Sequence, residues 1–137
     1  MNAPRIVLIE DNPADVFLVE LALKENGISC ELTKFASGRE ALSVLCAPDG
    51  AAGAFVPDAI LLDLNTPKSD GFQILSTMKQ FPRLSKVPIA VITSSSANSD
   101  KQLTALLGAR YIQKLSDLDA FLATVGQAVK EMLILPP

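Results

Sequence analysis

Ile6-Val7-Leu8-Ile9-Glu10-Asp11-Asn12-Pro13 decides the fold. Four consecutive apolar residues leave no polar face, as expected of a parallel strand covered by helices on both sides. The run stops at two carboxylates, and Asn12 followed by Pro13 supplies the N-cap and first residue of a helix. Ala14, Phe17, Leu18, Leu21 and Ala22 then recur at helical spacing and are expected to face the core, with Gly27 closing the helix.

The same pattern repeats along the chain. Ala59-Ile60-Leu61-Leu62 is a second unbroken apolar strand that ends in a carboxylate, Asp63, and Pro88-Ile89-Ala90-Val91-Ile92 is a third, ending at Thr93 and the polar run Ser94-Ser95-Ser96. Between the first two, residues 29–35 alternate in the manner of an edge strand. Ser37-Gly38-Arg39-Glu40 then forms a capping box that opens a helix with Ala41, Leu42 and Leu45 inward. Residues 47–57, rich in Ala, Gly and Pro, read as a surface spacer. Asp70 is placed to cap a helix carrying Phe72, Ile74, Leu75 and Met78 that stops before Pro82. A less apolar helix follows near residues 99–107. Tyr111-Ile112-Gln113-Lys114 is a short last strand, and Ser116 is expected to cap a final helix with Leu118, Phe121, Leu122, Val125, Val129 and Met132 on its inner face. Five βα units of this kind predict an α/β fold around a parallel, doubly wound sheet.

Composition narrows the function. The chain has 137 residues, 49% hydrophobic and 20% charged, which fits one globular domain over residues 1–137 with no output domain. No apolar run approaches the roughly 20 residues of a membrane helix, and the N-terminus lacks the apolar stretch of a signal peptide, so a cytoplasmic protein is expected. Histidine is absent, which excludes Ser-His-Asp and Cys-His catalysis, a phosphohistidine within this chain and any zinc site that needs imidazole. A net charge of −3 argues against direct nucleic-acid or membrane binding. Cys30 and Cys46 have no metal-site spacing and read as reduced core thiols.

In an open parallel sheet, ligands bind at the carboxyl ends of the strands where the strand order reverses. Glu10 and Asp11 end the first strand, Asp63 the third, Thr93 the fourth and Lys114 the fifth, so all five can converge on one edge. A lone charged residue after a strand usually starts a solvated loop, but five at equivalent positions are a constellation. Gathered carboxylates repel unless a cation joins them. Oxygen donors without His or paired Cys favour Mg²⁺. An Asp oxygen beside such an ion can attack a phosphoryl group, with a Lys offsetting the charge of the transition state.

These residues, with Pro67 and Gly71 after Asp63, Gly108-Ala109, and Tyr111 three places before Lys114, resemble a response-regulator receiver domain of two-component signalling, over essentially the whole chain. The stretches 10–16 and 63–71 are similar in particular to single-domain regulators associated with phytochrome-type histidine kinases. The resemblance implies a flavodoxin-like sheet in the order 2-1-3-4-5 with five helices. It implies that Asp63 accepts a phosphoryl group from a kinase phosphohistidine, and that Glu10, Asp11, Asp63 and the main-chain carbonyl of Asn65 hold Mg²⁺. Lys114 and Thr93 would bind the phosphoryl oxygens, and Tyr111 would turn inward behind Thr93, switching a surface formed by the fourth helix, fifth strand and fifth helix.

One departure stands out. Receivers usually carry Pro after the strand-five Lys, often in a cis peptide that aims the Lys, whereas Leu115 follows Lys114 here. A cis bond before Leu costs about 2.5 to 4 kcal/mol, so a trans peptide with a shifted loop is expected, or strain kept for function. Leu115 is then free to add apolar surface, and a homodimer involving Tyr111, Leu115, Ile134 and Leu135 is one expectation. Two other functions compete. A pseudo-receiver would keep the fold and bind partners without phosphorylation. An aspartyl-phosphate phosphohydrolase is suggested by Asp63-Leu64-Asn65-Thr66, which is distantly similar to the DxDxT signature of haloacid-dehalogenase-like enzymes, but Asn65 replaces the needed general acid.

Overall fold

The computed structural model describes residues 3–48, 55–64 and 71–134. The elements run β1 Arg5–Ile9, α1 Pro13–Glu25, β2 Glu31–Phe35, α2 Gly38–Leu45, β3 Ala59–Asp63, α3 Gly71–Gln80, β4 Ile89–Thr93, α4 Asn98–Leu106, β5 Arg110–Gln113 and α5 Leu118–Ile134. All strand pairings are parallel, and the sheet order is β2-β1-β3-β4-β5, as expected. The order reverses between β1 and β3, which opens a crevice at their carboxyl ends.

The unbroken apolar strands divide their side chains between two layers, because successive residues of a strand point to opposite faces. Ile6, Leu8, Leu61 and Ile92 pack with Val19, Leu23, Phe121, Val125, Val129 and Met132 under α1 and α5. Val7, Ile9, Ile60, Leu62 and Val91 pack with Ala41, Leu45, Leu75 and Met78 under α2 and α3. Cys30 and Cys46 are half-buried thiols at the margins of these two layers. Helix α4 buries only Thr104.

Local signals place the helix ends. The Asn12 side chain accepts from the backbone N–H groups of Ala14 (2.8 Å) and Asp15 (3.4 Å), and Ser37 accepts from Glu40 N–H at 3.2 Å. Gly27 and Gly108 adopt positive φ of 67° and 74° after α1 and α4, a conformation that side chains strain to reach. The loop after α2 is pinned at both ends. The Arg83 guanidinium donates to the carbonyls of Leu45 (2.8 Å) and Ala47, and Asp58 exchanges bonds with Arg5, its N–H to Arg5 O at 2.7 Å and its Oδ2 to Arg5 N–H at 2.8 Å.

Several expectations are corrected. Phe17 is 63% exposed and Ala14 is exposed, because the buried face of α1 is Val19, Ala22 and Leu23. Apolar residues surround nearly the whole of that helix, so spacing alone could not select the face. Leu118 is also exposed, and α5 is capped by Asp117, whose Oδ1 accepts from Ala120 N–H at 2.9 Å, in place of Ser116. The capping role of Asp70 lies outside the described residues. Among the described residues, no helix is long and apolar enough to cross a membrane.

Candidate functional site

The strand ends deliver the constellation to one rim. Glu10 follows β1 directly, and its N–H reaches Phe35 O at 3.0 Å, extending the β1–β2 ladder. Asp63 is the last residue of β3, and Leu64 N–H donates to Ile92 O at 3.0 Å, so the β3–β4 ladder continues past it. Thr93 ends β4, and Lys114 lies one residue past β5 with its N–H on Thr93 O at 2.7 Å. Each side chain is therefore set by a backbone ladder, with β1 and β3 adjacent at the crevice.

Carboxylate oxygens of Glu10, Asp11 and Asp63 lie within 4.8 Å of one another. Glu10 and Asp63 are buried, at 6% and 4% exposure, while Asp11 is exposed. Lys114 reaches this cluster: its Nζ stands 3.3 Å from Asp63 Oδ1 and 3.7 Å from Glu10 Oε2. The other oxygen of Glu10 accepts from Asn12 N–H at 3.0 Å.

The electrostatics favour a cation. Three carboxylates, those of Glu10, Asp15 and Asp63, stand around the Lys114 ammonium, and Asp11 joins Glu10 and Asp63 in the acidic cluster. Burial, followed by a hydrogen bond to Asp63 and the charge of that neighbour, raises the Glu10 pKa from 4.5 to about 8. A buried carboxyl that holds a proton near neutrality beside a second carboxylate is where a divalent ion can replace the proton. Lys114 is affected in the other direction. Burial pulls its pKa down, but the bond to Asp15 and the charges of Asp63 and Glu10 outweigh it and raise the pKa above the usual lysine value. The ammonium is thus charged throughout the physiological range.

Thr93 is buried, and its Oγ1 accepts from Ser95 N–H at 3.1 Å. Ser95 Oγ in turn donates to Asp100 Oδ2 at 2.7 Å and accepts from Ala97 N–H at 3.1 Å, so a polar chain runs from Thr93 into the first turn of α4. Tyr111 is half-buried, its hydroxyl oxygen is fully covered without a hydrogen-bond partner among the described residues, and Lys101 Nζ lies 5.7 Å from its ring centroid. The structure brings Glu10, Asp11, Asp63 and Lys114 together as read from the sequence. Asn65 lies outside the described residues. The peptide before Leu115 is trans, and Leu115 is 41% exposed.

Sequence reasoning missed Asp15. Of the three carboxylates paired with Lys114 it stands closest, with Oδ2 at 3.0 Å from Nζ. The available signal was its place in the first turn of the helix after Glu10-Asp11, where an acidic residue reads as ordinary compensation of the helix dipole.

The chain matches the family model of the response regulator receiver domain over residues 6–126. It is 38% identical over 100 residues to Response regulator Rcp1 of Synechocystis sp., a match that spans 72% of this chain and 68% of that protein. Among solved structures, it is similar to the phosphorylated cyanobacterial phytochrome response regulator RcpA, with a TM-score of 0.85 and 32% identity, covering 98% of this chain and 97% of the other. The Mn²⁺-bound form of Rcp1 superposes with a TM-score of 0.84 at 32% identity and the same coverage.

Proposed function

The chain belongs to the response regulator receiver domain family, and from that premise we propose that Asp63 is its phosphoacceptor, loaded in a Mg²⁺-dependent reaction by a histidine kinase of the phytochrome type. The observation that carries this reading is the Lys114 ammonium 3.3 Å from an Asp63 carboxylate that shares a 4.8 Å cluster with Glu10 and Asp11. The donor set suits Mg²⁺, since it is all oxygen and strongly acidic. Glu10, Asp11 and Asp63 would hold the ion, with Asn65 adding its main-chain carbonyl. When bound, Mg²⁺ offsets the charge of the phosphoryl oxygens.

Asp63 then acts as the nucleophile. One carboxylate oxygen bonds to phosphorus as the P–N bond of the phosphohistidine breaks, and that electron pair leaves on the imidazole nitrogen, which takes up a proton. Lys114 faces the new dianionic group. The Thr93 hydroxyl can donate its hydrogen to a phosphoryl oxygen while still accepting from Ser95 N–H. Movement of Thr93 is transmitted along Ser95 and Asp100 to α4, and Tyr111 occupies the space behind. The surface of α4, β5 and α5, with Leu103, Leu106, Leu115 and Leu118 exposed, then selects a protein partner or a second copy. The chain is a signalling protein, and on this reading it turns over only its own phosphoryl group.

Intact mass after incubation with Mg²⁺ and acetyl phosphate tests the proposal. One phosphoryl addition of about 80 Da is expected, absent in Asp63→Asn and without Mg²⁺. An adduct that persists in Asp63→Asn would refute Asp63 as the acceptor. Neither an adduct nor Mg²⁺ binding would instead favour the pseudo-receiver.

A further inference from the structure

Lys114 meets carboxylates from three places in the chain, and only Glu10 and Asp63 belong to the candidate metal cluster. The third, Asp15, is the closest. Its position is set locally: the first turn of α1 hangs from Asn12, which accepts side-chain bonds from Ala14 and Asp15 and accepts Val16 N–H on its carbonyl at 3.0 Å. At the other end, the Lys114 backbone is fixed by the bond from its N–H to Thr93 O. The residue that follows, Leu115, is exposed and in a trans peptide. The backbone therefore fixes where the lysine stem begins, and a side-chain contact fixes where it ends.

A divalent ion makes that contact consequential. It would draw on the Glu10 and Asp63 oxygens that Lys114 now approaches, and two cations a few ångströms apart in a half-buried site repel. Without another anchor the ammonium would swing out to solvent. Asp15 stands outside the cluster, so its bond to Lys114 can persist when the cluster is filled.

We propose that Asp15 is the positioning residue of Lys114, retaining the ammonium beside Asp63 while a divalent cation occupies Glu10, Asp11 and Asp63. The phosphoryl group then arrives at a charge already in place. The role rests on the phosphoacceptor reading above. It assigns to a helix residue nearly a hundred positions away the aiming of a lysine that its own successor leaves unconstrained.

The test compares the full chain with Asp15→Asn and Asp15→Glu, using Mg²⁺ and acetyl phosphate. One readout is phosphoryl uptake by intact mass at saturating Mg²⁺. The other is reductive methylation of Lys114, followed by peptide mass with and without Mg²⁺. In the unmodified sequence, Mg²⁺ is expected to leave Lys114 slow to react. In Asp15→Asn, Mg²⁺ should speed its labelling several-fold and uptake should fall about tenfold, the range typical when the partner that orients a metal-site group is removed. Asp15→Glu should recover both in part. Circular dichroism checks the fold, and Asp15→Ser, which also lacks the charge and suits a first helical turn, carries the same expectations. Labelling that stays insensitive to Mg²⁺ in Asp15→Asn and Asp15→Ser overturns the proposal, even if uptake falls, because lost uptake alone reports only a damaged structure. If the unmodified chain takes up no phosphoryl group while labelling follows the expected pattern, the phosphoacceptor reading fails, and what stands is that Asp15 retains the Lys114 ammonium beside a filled carboxylate cluster.

Discussion

Helices α5 and α4 both pack against β5, yet they are held by different forces. Helix α5 buries Phe121, Leu122, Val125, Gly126, Ala128, Val129 and Met132. It is also keyed to α1: Asn26 Nδ2 donates to Ala22 O at 2.7 Å and to Leu122 O at 3.1 Å, against a Gly126 whose added Cβ would stand 2.1 Å from that side chain. Helix α4 buries one residue, Thr104, has no side-chain cap at Ala97, and leaves Leu106 83% exposed. What ties it to the site is polar: Thr93 to Ser95, and Ser95 to Asp100 at 2.7 Å. Apolar burial resists change in proportion to area, whereas a short hydrogen-bonded chain can be redirected by one new charge. The two helices beside β5 therefore differ in what holds them: α5 is framed by apolar burial, and α4 is tied by a few hydrogen bonds.

The contrast can be tested from its strong side first. Phe121→Ala is expected to cost about 3 to 5 kcal/mol, read as a lowered midpoint in urea, because the ring is buried between α5 and the sheet. A loss below about 1 kcal/mol would remove the claim that α5 frames the domain.

Solution conditions should act on the polar rim instead. The folded chain holds a proton on Glu10 that the unfolded chain releases above its ordinary value of 4.5. Since the folded state binds more protons at Glu10, the contribution of this group to stability without divalent cation is fullest below about pH 4.5 and is lost as pH rises toward 8, by an amount on the order of a few kcal/mol. Thermal melts across that range check the sign, with Glu10→Gln expected to flatten the slope and Mg²⁺ to restore stability at the alkaline end. A slope that survives in Glu10→Gln would place its origin elsewhere.

The smallest effect is the most local. Ser95→Ala removes the link between Thr93 and Asp100 and should cost about 1 kcal/mol. Hydrogen exchange of α4 amides should quicken while that of α5 stays unchanged. Equal quickening in both would show that the two helices open together and erase the distinction.

Much of this was legible beforehand because parallel central strands announce themselves. Runs such as Ile6-Val7-Leu8-Ile9 and Ala59-Ile60-Leu61-Leu62 have no polar face, and the residue after each run is carried to the same rim by topology, so Glu10, Asp63, Thr93 and Lys114 could be gathered without coordinates. The misreadings have a different physical source. Spacing points Phe17 inward because α1 is apolar nearly all round, and only packing against the sheet and α5 selects Val19, Ala22 and Leu23. Ser116 and Asp117 are adjacent capping residues, and the side chain that meets Ala120 N–H is a matter of one residue of register. Asp15 is not legible in the sequence because the partner of a long, flexible lysine is set by where the stem ends, which strand order does not encode.

The loop after α2 has a consequence for engineering. Arg83 ties its first carbonyls to the chain that follows α3, and the mutual bonds of Arg5 and Asp58 fasten its far end to the start of β1. Both fastenings lie toward the amino-terminal ends of β1 and β3, opposite the rim that bears Glu10 and Asp63. Residues between the two fastenings can therefore be lengthened without displacing either strand, at a closure cost that grows only as the logarithm of the added length. A peptide tag or reporter module spliced there would report on the protein while leaving its acidic rim unencumbered.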